Sequence, residues 1–274
     1  MEHFVPNLSW ILGIDQTGAL CGKGVRPLPY CLLTQDHGVW KIESRPPRFL
    51  KGLPHLNRNS LEFLLPNFET RQGLVGIDCV LGLPRVCGIT QKQLKRCFQV
   101  AFHSYKNGLK EGQRHFASYL SALNGKRRSI DSDPLRDCEK RAKAQSVFKT
   151  FPAQRNVQTG THRIWRDLGE DVSWFELWPS TRPTKTALLC EVYPSLFWRN
   201  LFGEKSRRPK QIKSISKSLQ LRGRLENIYH SDADWADAAI AALGILKTVK
   251  SESSKGLTHL PRSAKTEGWI LGLN

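Results

Sequence analysis

The stretch Trp10-Ile11-Leu12-Gly13-Ile14-Asp15 decides the fold, because it is an apolar run that ends in an aspartate and recurs as Leu74-Val75-Gly76-Ile77-Asp78. Short apolar runs with β-branched residues are typical of buried strands. An aspartate that ends such a strand lies at the rim of the sheet, where α/β folds bind ligands. If the two strands are neighbours, roughly 4.8 Å apart, both carboxylates can reach one metal cluster.

The segments around these strands predict an α/β fold. Apolar runs at 30–33 and 39–42, joined by a turn-forming Asp-His-Gly sequence, predict a three-strand meander over residues 9–43. A further run at 187–192 predicts another buried strand. Between residues 85 and 186 the spacing of apolar residues predicts a basic, helical insertion. We expect one domain over residues 1–274, since this length supports a single large core.

The charge of the chain is its most unusual property. Its 42 Lys and Arg residues against 24 Asp and Glu residues give a net charge of +18. A general solubility charge is one explanation, but a positive field of this size favours a polyanionic partner, most simply DNA or RNA. The sequence shows no lipidation motif, signal peptide or membrane span, so we expect no membrane partner.

The cysteines indicate a reducing compartment. There are seven, without a Cys-x-x-Cys pair, and the eight histidines show no zinc-ligand spacing with them. Cys79 and Cys190 lie in segments predicted as strands, which favours buried free thiols. We therefore expect a cytoplasmic protein, and its oligomeric state stays open.

A third acidic cluster opens an alanine-rich helix predicted over about 232–248. Asp234 and Asp237 are three residues apart and share one helix face, and small alanines let the helix approach a sheet closely. Asp232 is expected to cap the helix. Acids in a first turn also complement the helix dipole, by roughly 0.3–1 kcal/mol each. Asp234 and Asp237 therefore have two interpretations, as dipole partners or as members of the strand-end site.

Glu191 is the fourth acidic element, in a buried strand where a lone carboxylate is costly. It fits an assisting role in the site and an ion pair with an arginine of the insertion equally well. Clustered carboxylates suit hard cations such as Mg²⁺ or Mn²⁺, and two such ions about 4 Å apart support phosphodiester hydrolysis. The predicted catalytic residues are Asp15, Asp78, Glu191, Asp234 and Asp237, and all but Glu191 are predicted metal ligands.

Basic residues of the insertion are interleaved with aromatic ones. Basic side chains contact phosphates and aromatic side chains stack on unpaired bases, so this composition favours contact with nucleic acid. The predicted nucleic-acid-binding residues are Arg85, Arg136, Arg141, Lys143, Arg155 and Arg163. The alternative is a helical cap with a solvated charged face around a small aromatic core.

Together these pieces resemble the ribonuclease-H-like superfamily and, within it, the predicted nucleases of domain-of-unknown-function family 429. The matching pieces, in the family's order, are Gly13-Ile14-Asp15, the Ile-Asp-Cys-Val-Leu-Gly-Leu-Pro of 77–84, residues 136–148, the Cys-Glu-Val-Tyr-Pro of 190–194, and 234–238. The resemblance implies a five-stranded sheet ordered 3-2-1-4-5, with Asp15 beside Asp78 and Glu191 one strand further out. It also implies metal-dependent cleavage of nucleic acid. The chain departs from the family pattern at Cys79-Val80 and Gln16-Thr17.

We therefore expect an α/β protein of ribonuclease-H-like type that hydrolyses phosphodiester bonds of DNA or RNA with Mg²⁺ or Mn²⁺. A non-catalytic nucleic-acid-binding protein of the same fold is the alternative. A phosphotransferase of the actin and sugar-kinase superfamily is a weaker one, because no glycine-rich phosphate loop is evident. The sequence does not distinguish DNA from RNA, or endonucleolytic from exonucleolytic cleavage.

Overall fold

The computed structural model describes residues 8–16, 20–21, 24–104, 109–124, 134–144, 146–148, 155–179, 185, 187–203, 211–251 and 260–273 of the 274-residue chain. A mixed six-stranded sheet with helices packed on it confirms the predicted α/β class. The strands, with a separate hairpin formed by the second and third, are β1 (Trp10–Ile14), β2 (Leu20–Cys21), β3 (Gly24–Val25), β4 (Tyr30–Asp36), β5 (Val39–Ile42), β6 (Gly73–Ile77), β7 (Phe175–Leu177) and β8 (Ala187–Glu191).

The sheet order is β5-β4-β1-β6-β8-β7. β4 pairs antiparallel with β1 and β5, which confirms the predicted meander. β6 pairs in parallel with β1 and with β8, and β8 pairs in parallel with β7. The expected five-strand order is therefore wrong by one strand, because β7 extends the sheet beyond β8. This strand has only three residues and comes from the segment predicted to be helical, so it carries little periodic signal.

The helices of the described residues are α1 (Arg58–Leu64), α2 (Leu94–Ser104), α3 (Leu109–Asn124), α4 (Asp137–Ala142), α5 (Arg155–Glu170), α6 (Pro194–Phe202), α7 (Ile212–Ser218), α8 (Ile228–Ser231), α9 (Ala233–Lys250) and α10 (Ala264–Glu267). Short 3-10 turns occur at Pro47–Phe49, Phe68–Thr70, Arg85–Cys87 and Gln91–Gln93. Helix α4 is a short helix within the segment 85–186 that the sequence predicts to be helical. It ends where Lys143 takes a left-handed backbone conformation, with φ of 55°.

Helix α9 lies directly on β1 because Gly13 has no side chain. A Cβ at this position would lie 2.3 Å from the carbonyl oxygen of Ala238 and 2.5 Å from the amide nitrogen of Ala242. The expected cap of the helix is confirmed, since the Asp232 carboxylate accepts from the amides of Asp234 (2.9 Å) and Trp235 (3.1 Å). The close approach fixes the acidic first turn of α9 against the sheet.

Helix α5 covers the loop that leaves β6. The Trp165 indole donates to the carbonyl oxygen of Val80 at 2.7 Å and packs against Phe98 of α2, with ring centroids 5.2 Å apart. Both rings are buried. The residues between β6 and β8 therefore contribute to the core around the strand ends.

The described residues bear on the state of the cysteines and on the length and polarity of the helices. The six cysteines whose side chains are described are free and buried, as predicted. Within the same residues, every helix is too short or too polar to cross a membrane.

Candidate functional site

Asp15 and Asp78 follow neighbouring parallel strands at the same edge of the sheet. Ile14 is paired with Ile77, and the amide of Asp78 donates to the carbonyl oxygen of Ile14 at 3.0 Å. Asp15 is buried, with 5% of its surface exposed, and Asp78 is half-buried. The strands are neighbours, as the resemblance to the ribonuclease-H-like superfamily implies, and their spacing of roughly 4.8 Å holds the two backbones side by side.

The N-terminus of α9 points toward this edge. Gly13 meets Ala238, whereas Tyr30, which is paired with Ile14, packs against Trp235 with ring centroids 5.7 Å apart. These two contacts show that β1 and α9 run in opposite directions, so the carboxyl end of β1 lies near the first turn of α9. This direction brings the half-buried Asp234 to the part of the helix nearest the strand ends.

Asp237 has a different environment from Asp234. It is buried, with 1% of its surface exposed, and its Oδ1 accepts from the indole nitrogen of Trp198 at 2.8 Å. This bond joins α9 to α6. It satisfies a carboxylate that burial would otherwise leave at high cost. This contact gives Asp237 a role in packing α9 against α6, and its predicted role as a metal ligand stays a prediction.

Glu191 forms a buried ion pair with Arg136. The guanidinium donates from Nη1 to Oε2 at 2.7 Å and from Nη2 to Oε1 at 2.6 Å, and its Nε donates to Glu139 at 2.9 Å. Burial alone would lower the pKa of Arg136, but the two carboxylates raise that pKa well above its usual value. Of the two interpretations of Glu191, the structure favours the ion pair with an arginine from the segment between β6 and β8.

This pairing corrects the role predicted for Arg136. The residue has no exposed surface, so it has no face to offer a nucleic acid. Arg163 is also buried, with 7% exposed. The side chain of Arg155 lies outside the described residues. The predicted nucleic-acid-binding residues that do lie at the surface are Arg85, Arg141 and Lys143.

A pocket of about 230 Å³ opens beside Asp78 at the carboxyl ends of β6 and β8. Gln16, Tyr193 and Ser195 line it together with Asp78 and Glu191. None of these three polar residues is among the site residues predicted from the sequence. Their signal is positional, since Gln16 directly follows Asp15, and Tyr193 and Ser195 come just after β8.

Cys79 also lines the pocket, but its chemistry does not suit nucleophilic attack. Burial raises the pKa of this thiol well above its usual value, and the nearby carboxylates of Glu191 and Asp78 raise it further. The attacking species of cysteine enzymes is the thiolate, which this environment disfavours.

Within the described ranges, no group of three or more His, Cys, Asp and Glu side chains is arranged to hold a metal ion. The full set of four predicted ligands is therefore not assembled there, and Asp15 and Asp78 are the two that share an edge. Comparisons with protein-family models, curated protein sequences and solved structures gave no match.

Proposed function

We propose that this protein is a metal-dependent nuclease of ribonuclease-H-like fold that hydrolyses phosphodiester bonds of DNA or RNA. The observation that carries the proposal is the pair of aspartates after Ile14 and Ile77, which are paired residues of adjacent parallel strands. A pocket of about 230 Å³, lined by Asp78 and by Gln16, the residue that follows Asp15, opens at this edge of the sheet. The net charge of +18 supplies the attraction for a polyanionic substrate.

The two strand-end carboxylates fit Mg²⁺ or Mn²⁺. Mg²⁺ is commonly bound through only one or two carboxylates, with waters and substrate phosphates completing its coordination. Asp15 and Asp78 would hold the ion, and Asp234 lies at the end of α9 nearest to them. Glu191 fits poorly as a ligand, because Arg136 donates to both of its oxygens, whereas Asp237 accepts from the Trp198 indole through Oδ1. When bound, such an ion lowers the pKa of a water and stabilises charge on phosphoryl oxygens.

The remaining residues of the pocket position the substrate. Gln16 and Ser195 offer hydrogen-bonding groups within its wall. Glu191 and Glu139 also line the wall, and the guanidinium of Arg136 pairs with both and offsets part of their negative charge, which reduces repulsion of a phosphate. Arg85, Arg141 and Lys143 are exposed and supply contacts with a phosphate backbone outside the pocket.

The fold assignment is supported by the antiparallel strands β1, β4 and β5, followed by the parallel strands β6 and β8 and the acidic start of α9. One observation favours the alternative of a non-catalytic nucleic-acid-binding protein with the same fold. Two of the five predicted catalytic acids, Glu191 and Asp237, have structural partners. The remaining candidate metal ligands are Asp15, Asp78 and Asp234. Measuring catalytic turnover therefore separates the nuclease from the non-catalytic alternative.

The test is cleavage of labelled DNA and RNA, single- and double-stranded, with Mg²⁺, with Mn²⁺ and with EDTA. We expect ion-dependent cleavage by the wild type and its loss in Asp78→Asn, with nucleic-acid binding nearly unchanged in EDTA. Asp36→Asn is the matched control, because Asp36 is an exposed aspartate at the end of β4. Tight, salt-sensitive binding by the wild type without products would favour the non-catalytic alternative. Unchanged cleavage in Asp78→Asn would refute the assignment of the site.

A further inference from the structure

Arg163 of α5 is a buried cation whose hydrogen-bond donors are not all used. Its Nη2 donates to the carbonyl oxygen of Pro54 at 3.2 Å. Its Nε and Nη1 are buried and meet no acceptor among the described residues. Burial lowers the pKa of the guanidinium to about 10, so the group stays charged at neutral pH. A buried charge with unused donors is costly, and its presence requires an explanation.

The nearest carboxylate does not provide that explanation. Asp167 lies one helical turn after Arg163, but its oxygens accept from other groups. Oδ1 accepts from Nε (2.9 Å) and Nη2 (2.6 Å) of Arg166, and Oδ2 accepts from the amide of Leu56 at 3.0 Å. His55 also lies 3.3 Å from Oδ1. Asp167 therefore influences Arg163 through its charge, without a hydrogen bond to it.

Arg163 is connected to the strand-end site through Gly160 and Gln16. Gly160 and Arg163 are three residues apart on α5, so they share a helix face and are separated by about 4.5 Å along the axis. Gly160 contacts Gln16, whose Oε1 lies 1.0 Å from the position that a Cβ on residue 160 would take. Gln16 follows Asp15 and lines the pocket beside Asp78. The amide oxygen of Gln16 is also buried and has no donor in the described part of the chain.

We propose that Arg163 binds a phosphate group of the substrate, adjacent to the phosphate that lies at Asp15 and Asp78. A phosphate presents several oxygens, and the planar guanidinium can donate to two of them in parallel from Nε and one Nη. The anion would also supply the countercharge that the buried cation requires. The side chain of Gln16 is the group that must move to admit it. The inference rests on the proposed function, because it assigns the ligand as part of that substrate.

The test measures binding in EDTA, so that cleavage plays no part. Inorganic phosphate and eight-residue single strands of DNA and RNA are titrated into the full chain, by calorimetry and by thermal shift. Arg163→Met is compared with Arg96→Met, which removes an exposed arginine of α2. We expect Arg163→Met to lose at least tenfold in affinity for phosphate and for the single strands, and the control to change less than twofold.

A second measurement separates ligand binding from structural support. In buffer without phosphate or other multivalent anions, Arg163→Met should unfold at a temperature equal to or above that of the wild type, because it removes an unsatisfied buried charge. Clear destabilisation in that buffer, with phosphate affinity unchanged, would assign Arg163 a packing role and overturn the inference. Failure of the wild type to bind phosphate or either oligonucleotide would overturn it too.

Comparing inorganic phosphate with the oligonucleotides also shows whether the site takes a free anion or a phosphate of the substrate. If Arg163→Met weakens binding of inorganic phosphate alone, the site takes a free anion and the substrate role is wrong. Asp78→Asn is expected to keep the Arg163-dependent binding. Loss of cleavage in Asp78→Asn together with Arg163-independent binding would leave the proposed function standing and remove this inference. Arg163-dependent binding without any cleavage would retain the phosphate site and remove the nuclease.

Discussion

Replacing Arg136 by methionine tests the buried ion pair that borders the pocket. Arg136 has no exposed surface and donates to Glu191 twice and to Glu139 once through its side chain. Methionine fills much of the same space but leaves two carboxylates without their cation. Each keeps one backbone donor, the amide of Leu81 at 2.8 Å for Glu191 and the amide of residue 136 at 2.8 Å for Glu139. The variant therefore isolates the value of the guanidinium.

Two estimates of the loss in free energy of unfolding caused by Arg136→Met agree. Removing one partner of a buried ion pair destabilises a protein by about 3–5 kcal/mol. A carboxylate without its cation can instead take a proton, which costs about 3.7 kcal/mol at pH 7 for a group with a normal unfolded pKa. Protonation sets an upper limit on the penalty for each carboxyl. We expect the free energy of unfolding to fall by about 3–5 kcal/mol at pH 7.

The stability deficit of Arg136→Met depends on pH through the carboxyl groups that lose their cation. Burial already raises the pKa of Glu139, and the attraction of Arg136 opposes that rise. Without Arg136 the folded-state pKa lies further above the unfolded value. Stability from such a group is present below the unfolded pKa and is lost as the pH rises through the folded pKa. The deficit of the variant should therefore shrink, by about 2–3 kcal/mol for one carboxyl, between pH 7 and pH 5.

The assay is urea unfolding followed by tryptophan fluorescence at both pH values, which the eight tryptophans make practical. Lys140→Met is the matched control, since Lys140 is an exposed cation of the same helix, with 63% of its side chain exposed. Adding Glu191→Met to Arg136→Met should recover part of the lost stability, because only Glu139 then lacks the guanidinium. A deficit that is equal at pH 5 and pH 7 and is unaffected by Glu191→Met would refute the reasoning.

Two glycine substitutions probe the packing around the site. Gly13→Ala should destabilise the protein by about 1–3 kcal/mol in urea unfolding, because the added Cβ meets backbone atoms of α9 that cannot move independently; unchanged stability would show that α9 is not fixed by this contact. Gly160→Ala meets only the flexible end of Gln16, and alanine favours a helix by about 1 kcal/mol. We therefore expect equal or higher stability with reduced cleavage, and full cleavage activity would contradict a role for Gln16 in the pocket.

The sequence was sufficient for the strand-end pair because a local pattern carries it. Gly-Ile-Asp after an apolar run specifies a buried strand, and two copies indicate one edge. The resemblance to the ribonuclease-H-like superfamily implied that the two strands are neighbours, and Ile14 is paired in parallel with Ile77. The cap at Asp232 was equally predictable, since it depends on residues two and three positions further along the chain. Features that depend on residues close together in the chain can therefore be predicted from the sequence.

Long-range partners could not be predicted in the same way. Arg136 is 55 residues from Glu191, and Trp198 is 39 residues from Asp237, so only the tertiary fold pairs them. A basic residue in a charged helix looks the same in sequence whether it is exposed or buried. β7 was missed for another reason, since three residues are too few to show a strand's alternation.

The partner of Glu191 changes what this residue contributes to the site. Its Oε2 accepts from both Arg136 and the amide of Leu81, so it ties the loop after β6 to a fixed point. That loop begins at Asp78, and its Val80 carbonyl oxygen accepts a hydrogen bond from the Trp165 indole. A carboxylate used in this way restrains the backbone beside the pocket, and Arg136 offsets part of the negative charge that Glu191 and Glu139 bring there. Glu191 is therefore better described as a positioning residue for Asp78 than as a ligand, and Glu191→Gln should change cleavage less than Asp78→Asn does.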